Sequence, residues 1–405
     1  MRAVHILLGG TALLLAPVAA TGETTSNEQG VVVTAVRLAD SERALKECIA
    51  RKCPPKEDIK ATLAHAENQF VAGDYKGARQ TLLAGRGRNV RYAKDAPIEV
   101  SDLLRATSRV SAHVGESEDY RLNAVVALDV LRRNLPENDA RVLYQRLEVA
   151  DADVRTSRLE PANSRIDQAL RTYAAIARQA REIGDAKAEG YALLRRLVVL
   201  QQLGLTGTGG YDGVVREATR ALTDSPNPQL AEFANAARLV NAQFAARRGD
   251  TRALDKLLAD MRQAPATARP VLVYSPPLSI NTNPIGNAFS GNVLNRLTTN
   301  SEFDNQWIDV AFWVEPDGSV NDPQVLRRSD GYSGGWDKRV LETVAGRRYL
   351  PLKTDGKTPG AFRVERYTLT ADWGQQSGTR LRQREPEARL EVLDLTAEPT
   401  ASIAG

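Results

Sequence analysis

The sequence predicts an α+β protein in two parts, an N-terminal all-α domain and then a small module with an antiparallel sheet and one main helix. Three observations carry this. Between residues 57 and 264, apolar side chains recur at the three- and four-residue spacing of a helix face. From residue 307 the period falls to that of a strand, with Ile308, Val310, Phe312 and Val314 alternating with Asp309, Ala311, Trp313 and Glu315. Asp317-Gly318 then supplies the left-handed conformations of a tight hairpin, so residues 319–328 should return antiparallel.

The chain starts with Met1-Arg2, an apolar run through Leu13-Leu14-Leu15, Pro17, and small residues ending at Ala19-Ala20. This is the pattern of a secretory signal peptide over residues 1–20, with an uncleaved anchor as the alternative. No other stretch approaches the roughly 18 uninterrupted apolar residues of a membrane span, so none is expected after cleavage. Residues 21–56 read as an extended segment. It holds the β-branched run Val31-Val32-Val33-Thr34 and the chain's two cysteines, Cys48 and Cys53. In an exported chain, so close a pair argues for a disulfide. A metal site would need more ligands than the pair and three scattered histidines provide, and no metal or other cofactor is expected.

Residues 57–264 form the helical domain. Its stripes include Leu63, Ala66 and Phe70, then Leu143, Leu147, Ala150 and Val154, then Tyr191, Leu194, Leu197 and Val198. A Gly-Asp turn recurs at Gly73-Asp74, Gly184-Asp185 and Gly249-Asp250. The first copy, Gly73-Asp74-Tyr75-Lys76-Gly77-Ala78, resembles the turn of a tetratricopeptide repeat, where Gly ends one helix and Ala lets the next pack closely. The spacings are not clean multiples of about 34 residues, so an irregular helical domain stays open beside a degenerate repeat. The Gly-rich stretch 204–213 lacks the Lys-Ser/Thr of a phosphate loop and reads as a plain loop.

Residues 265–374 make the second module. After the hairpin, Pro323 lacks an amide donor and should sit at a bulge or an unpaired side. Trp336, Val340, Leu341 and Val344 then give a short helix. Residues 362–373 form a long last strand, with an apolar phase shift that suggests a bulge near Glu365 or Arg366. Residues 375–405 read as a disordered tail.

This order and punctuation resemble the C-terminal domain of TonB, the energy transducer that reaches across the periplasm to outer-membrane receptors. The matching residues are Asp317-Gly318, Ser319-Val320, Ser329-Asp330-Gly331, Asp337, Arg348-Tyr349-Leu350-Pro351 and Asp355-Gly356-Lys357-Thr358-Pro359. Arg347 departs from the pattern, since it stands where an aromatic residue is usual. The resemblance implies a last strand with an open edge that takes up an extended peptide, with Phe362, Val364, Arg366, Tyr367 and Leu369 as the peptide-binding strand. It also implies a periplasmic location in a Gram-negative-type envelope, with periplasmic or outer-membrane protein segments as partners. Val31, Val32, Val33 and Thr34 resemble the TonB box by which receptors add that strand, so self-association through residues 31–36 is a second expectation. A plain sticky linker is the alternative for those residues.

A net charge of +4 with no basic patch interleaved with aromatics argues against nucleic acid. Gly331-Tyr332-Ser333-Gly334-Gly335 fits the string of a nucleophile elbow, but it closes a hairpin and no histidine follows it, so no catalytic residue is expected. The sequence thus points to a non-enzymatic periplasmic protein that binds box-type segments by strand addition, linked to outer-membrane receptor transport. A helical scaffold or envelope-assembly factor is the alternative.

Overall fold

The computed structural model describes residues 38–157, 163–206, 210–262, 266–278, 305–354, 359–375 and 382–396. The signal-like residues 1–20 and the box-like residues 31–36 lie outside these. The chain is α+β as expected, with a mostly helical N-terminal part and a small antiparallel sheet in the C-terminal region. It divides into two compact units, a helical one of residues 42–70 and 75–264 and a second made chiefly by residue 265 onward.

The first helix, α1 (Leu38–Ala50), corrects the expectation of an extended segment through residue 56. Ser41, Leu45 and Cys48 are buried at helical spacing, which aligns one face for packing. Cys48 in its last turn is bonded to Cys53. Pro55 then opens α2 (Pro55–Ala72), where a missing amide costs nothing. The series continues with α3 (Tyr75–Asn89), α4 (Pro97–His113), α5 (Ser117–Asn134), α6 (Ala140–Arg155), α7 (Ser164–Ile183), α8 (Ala186–Thr206), α9 (Asp212–Thr223), α10 (Ala231–Arg247) and α11 (Arg252–Arg262). From α3 to α11 each helix packs on the next, and α8 also touches α6 and α10.

That position explains why the apolar surface of α8 is broad. Ala188, Ala192, Leu197, Val199, Leu200 and Leu203 are buried on more than one side, so the single stripe read from Tyr191, Leu194, Leu197 and Val198 captures only part of it. The same helix runs through to Thr206, two residues beyond the expected start of the Gly-rich loop. The three Gly-Asp turns share one mechanism. Gly73, Gly184 and Gly249 all take positive φ (89°, 77° and 95°), which ends a helix at no steric cost. Asp185 and Asp250 then accept amide hydrogens of the following helix, from Ala188 at 2.9 Å and Arg252 at 3.2 Å.

In the second unit, β1 (Leu272–Tyr274) pairs antiparallel with β4 (Arg348–Tyr349). The main sheet has four strands in the order β3-β2-β5-β6: β3 (Val320–Arg328), β2 (Trp307–Val314), β5 (Ala361–Gln375) and β6 (Arg382–Asp394). The β2–β3 hairpin turns through Gly318 at φ 82°, and the Gly318 carbonyl accepts the Tyr349 amide at 2.8 Å. A Cβ at Gly318 would lie 2.1 Å from the Tyr349 oxygen, so glycine is needed there twice over. Helix α12 (Asp337–Ala345) brings Val340 and Val344 onto Ile308, Val310, Phe312, Val314, Tyr367 and Leu369. Pro323 falls in the register shift between Asn321 and Gln324, the bulge that its missing amide requires.

Two readings of the C-terminal part are corrected. Residues 382–394 are a strand instead of disordered tail, because Ala388, Leu390 and Val392 alternate with Arg389 and Glu391 and so give one apolar face. The expected bulge at Glu365 or Arg366 is absent: β2 and β5 pair in unbroken register from Trp307↔Thr368 to Val314↔Ala361. The apolar phase shift arises because β5 is buried on both faces, with Val364 on one and Tyr367 on the other. The irregularity of β5 lies instead between Ala371 and Trp373.

Candidate peptide-binding edge

Backbone hydrogen bonding decides which strand can accept another. The Leu369 amide bonds the Gln306 carbonyl, and the Leu395 amide bonds the Val364 carbonyl, both at 2.8 Å. With the antiparallel alternation, odd residues of β5 therefore face β2 and even residues 364–370 face β6. The strand expected to be open is interior from Val364 to Leu369, with β2 on one side and β6 on the other; before that stretch only β2 pairs with it, and after it only β6. Its side chains serve the fold. Phe362 packs on the Trp313 ring at 5.1 Å. Val364 is buried across from Ala311, and Tyr367 and Leu369 belong to the core beneath α12. Arg366 is buried and grips Asp309 with two bonds, Nε to Oδ1 at 2.6 Å and Nη2 to Oδ2 at 3.0 Å. Arg327 reaches the same carboxylate from β3 at 2.6 Å. Four of the five, Val364, Arg366, Tyr367 and Leu369, lie where β5 has a neighbour on both sides, Phe362 is held against Trp313 of β2, and from 365 to 375 the side that residues 31–36 would join is taken by β6.

The two true edges of the sheet differ. β3 carries two register shifts, Pro323, and Asp322 at φ 49°, features that bend and blunt an edge. On β6 the run 388–394 keeps regular register. By the same alternation, residues 389, 391 and 393 face β5, whereas the amides and carbonyls of 388, 390, 392 and 394 point away from it. Among the described residues no strand pairs there. Val392 lies on the core-facing side, paired with Tyr367, yet it is 42% exposed while Leu390 beside it is 3% exposed. The edge thus offers unpaired backbone groups next to uncovered carbon.

Beneath it, the departure at Arg347 has a physical account. Arg347 occupies a core position, 6% exposed, with its guanidinium 5.8 Å from the Phe312 ring. Its Nη1 donates to Glu365 Oε2 at 2.8 Å and its Nη2 to the Tyr367 hydroxyl at 2.9 Å, and that hydroxyl donates to Glu365 at 2.6 Å. Burial pushes the Tyr367 hydroxyl well above the ordinary phenol range, and the Glu365 charge adds to it. Burial works against the Arg347 charge, but Tyr367 and Glu365 hold it above the usual guanidinium range. This network pairs both terminal nitrogens of the guanidinium and so lets a cation stand where carbon is expected. At the start of α12, burial disfavours the Asp337 carboxylate, but Arg328 at 2.7 Å and Tyr332 hold its pKa below the usual range, which ties the helix to β3.

The Ser333 of the elbow-like string is held between strands and helix: Gln306 Nε2 donates to its Oγ at 3.0 Å, and its amide donates to Gln306 Oε1 at 3.0 Å. Among the described residues no helix is long and apolar enough to cross a membrane, and no group of three or more His, Cys, Asp or Glu side chains is set to hold a metal. No protein-family model matches the chain, and no curated protein is similar to it in sequence. The residues of the edge itself, 388–394, escaped sequence reasoning. The signal was there in the apolar and charged alternation, but the charged flanks Arg380, Arg382 and Arg384 masked it. Two of them, Arg382 and Arg384, lie over the Trp373 ring at 5.3 and 4.2 Å.

Proposed function

We propose that this chain is a non-enzymatic periplasmic protein, similar to the C-terminal domain of TonB in its second module, that binds an extended peptide by strand addition along β6. The outward amides and carbonyls of residues 388–394 are the observation that carries this reading, because an unpaired edge of regular register satisfies a peptide's backbone without rearrangement. Exposed Val392 gives an incoming side chain an apolar neighbour. Segments of the TonB-box type, β-branched and extended, suit such an edge, and a link to outer-membrane receptor transport follows from that choice of peptide. The Cys48–Cys53 bond fits an oxidising compartment.

The test is a Val392→Pro variant of the full chain. The amide it removes points away from β5, so the sheet should fold unchanged, while an added strand loses a donor and meets the proline ring. A synthetic peptide carrying residues 30–37 should slow hydrogen exchange at the outward amides of 388–394 in the parent and not in the variant. Equal protection in both, or protection confined to β3, would overturn the reading.

A further inference from the structure

We infer that the helical unit carries a second binding site, a groove of about 590 Å³ among α8, α9, α10 and α11 that takes an acidic, amphipathic polypeptide segment. The groove is of ligand-binding size. Arg216 and Arg220 line it from α9, one turn apart, and Arg238 and Arg248 from α10 and its end, against the single acid Asp212. None of the four arginines has an acidic partner among the described residues. Arg238 reaches only the Asn235 amide oxygen at 2.7 Å and Arg248 only that of Gln201 at 3.3 Å.

Elsewhere in the unit, Arg79, Arg88, Arg109, Arg121, Arg181 and Arg195 each hold a carboxylate. Like charges one helical turn apart repel, so an uncompensated cluster is a standing cost that an incoming anion relieves.

The floor is built, not accidental. Gln201, 2% exposed, donates to Asn241 at 2.6 Å, and Asn241 donates to Thr219 at 2.9 Å, which locks three helices in register beneath the arginines. Around this ladder the lining is mostly carbon, including Val215, Ala242 and Leu257. An arginine rim over an apolar floor selects carboxylates alternating with apolar side chains, because guanidinium forks match carboxylates and the carbon between them needs burial. A bare polyanion uses only the rim.

The test uses the full chain and a fluorescein-labelled peptide of glutamate and leucine, followed by anisotropy. Binding should weaken as salt rises. Arg216→Glu with Arg220→Glu should weaken it by roughly tenfold or more, the scale of two reversed charge contacts. The paired glutamine variant, which removes the charges and keeps helix propensity, should fall between. A leucine and lysine peptide should not bind. Unchanged affinity in both variants, or a single-stranded oligonucleotide binding as tightly as the peptide, overturns the assignment; circular dichroism of the variants separates lost charge from lost fold.

Discussion

Replacing Arg347 with methionine should destabilise the C-terminal unit, and changing its partner as well should recover much of the loss. Arg347 and Glu365 keep only 8% and 10% of their side-chain surface and lie 2.8 Å apart. At an effective dielectric of about 20, unit charges at that distance attract by about 6 kcal/mol, while removing both ions from water costs several kcal/mol in return. The pair is therefore nearly neutral as a unit, but either charge alone is not. R347M leaves Glu365 in the core with the Tyr367 hydroxyl, 2.6 Å away, as its remaining donor, a loss of about 3–5 kcal/mol. R347M/E365Q removes both charges and leaves Tyr367 an acceptor, so at least half of that loss should return. Trp307, Trp313, Trp336 and Trp373 are all the tryptophans of the chain. Urea unfolding followed by tryptophan fluorescence therefore reports this unit alone. A single substitution costing under about 1 kcal/mol, or a double variant no more stable than the single, refutes the argument.

Four further outcomes are expected. Burial pushes Asp151 up to about 6, with Tyr173 donating to it at 2.7 Å and Arg195 at 3.1 Å. A carboxyl raised in the fold adds stability that is complete below the unfolded pKa near 4 and lost as pH rises through 6, so melting of the parent's helices should rise from pH 7 to pH 4 relative to D151N, and parallel curves would count against it. D309N leaves buried Arg366 without its carboxylate and should cost about 3–5 kcal/mol by the same fluorescence assay. Gly318→Ala forces a side chain into positive φ and onto the Tyr349 carbonyl, so about 1–3 kcal/mol should be lost. Reducing Cys48–Cys53, a bond closing only a short loop with a sequence separation of 5, should cost about 2 kcal/mol or less in thermal unfolding of the helical unit.

The parts that a period or a turn residue dictates were legible in the chain. Ile308, Val310, Phe312 and Val314 face the core as their alternation requires, and the glycines of the three Gly-Asp turns end helices as their lack of a Cβ allows. The edge was not legible, because strand order depends on pairing between segments that no local pattern encodes. An interior strand and an edge strand differ in what lies beside them, and Tyr367 or Arg366 reads alike in either. The arginine groove is hidden for a related reason. Arg216 and Arg238 look like ordinary solvated helix faces until the folding of α8 to α11 gathers four arginines around one acid.

Strand β6 is also the last of the sheet to be synthesised. Until residues 382–394 emerge from the ribosome, the even-numbered backbone groups of β5 from 364 to 370 lack their strand partner. A chain cut short before that point would carry an adhesive strand, prone to pair with other chains or to be captured by chaperones and proteases. Completion of the sheet therefore acts as a length check on biosynthesis, since only chains made through Asp394 present the regular outer edge in place of the sticky inner one.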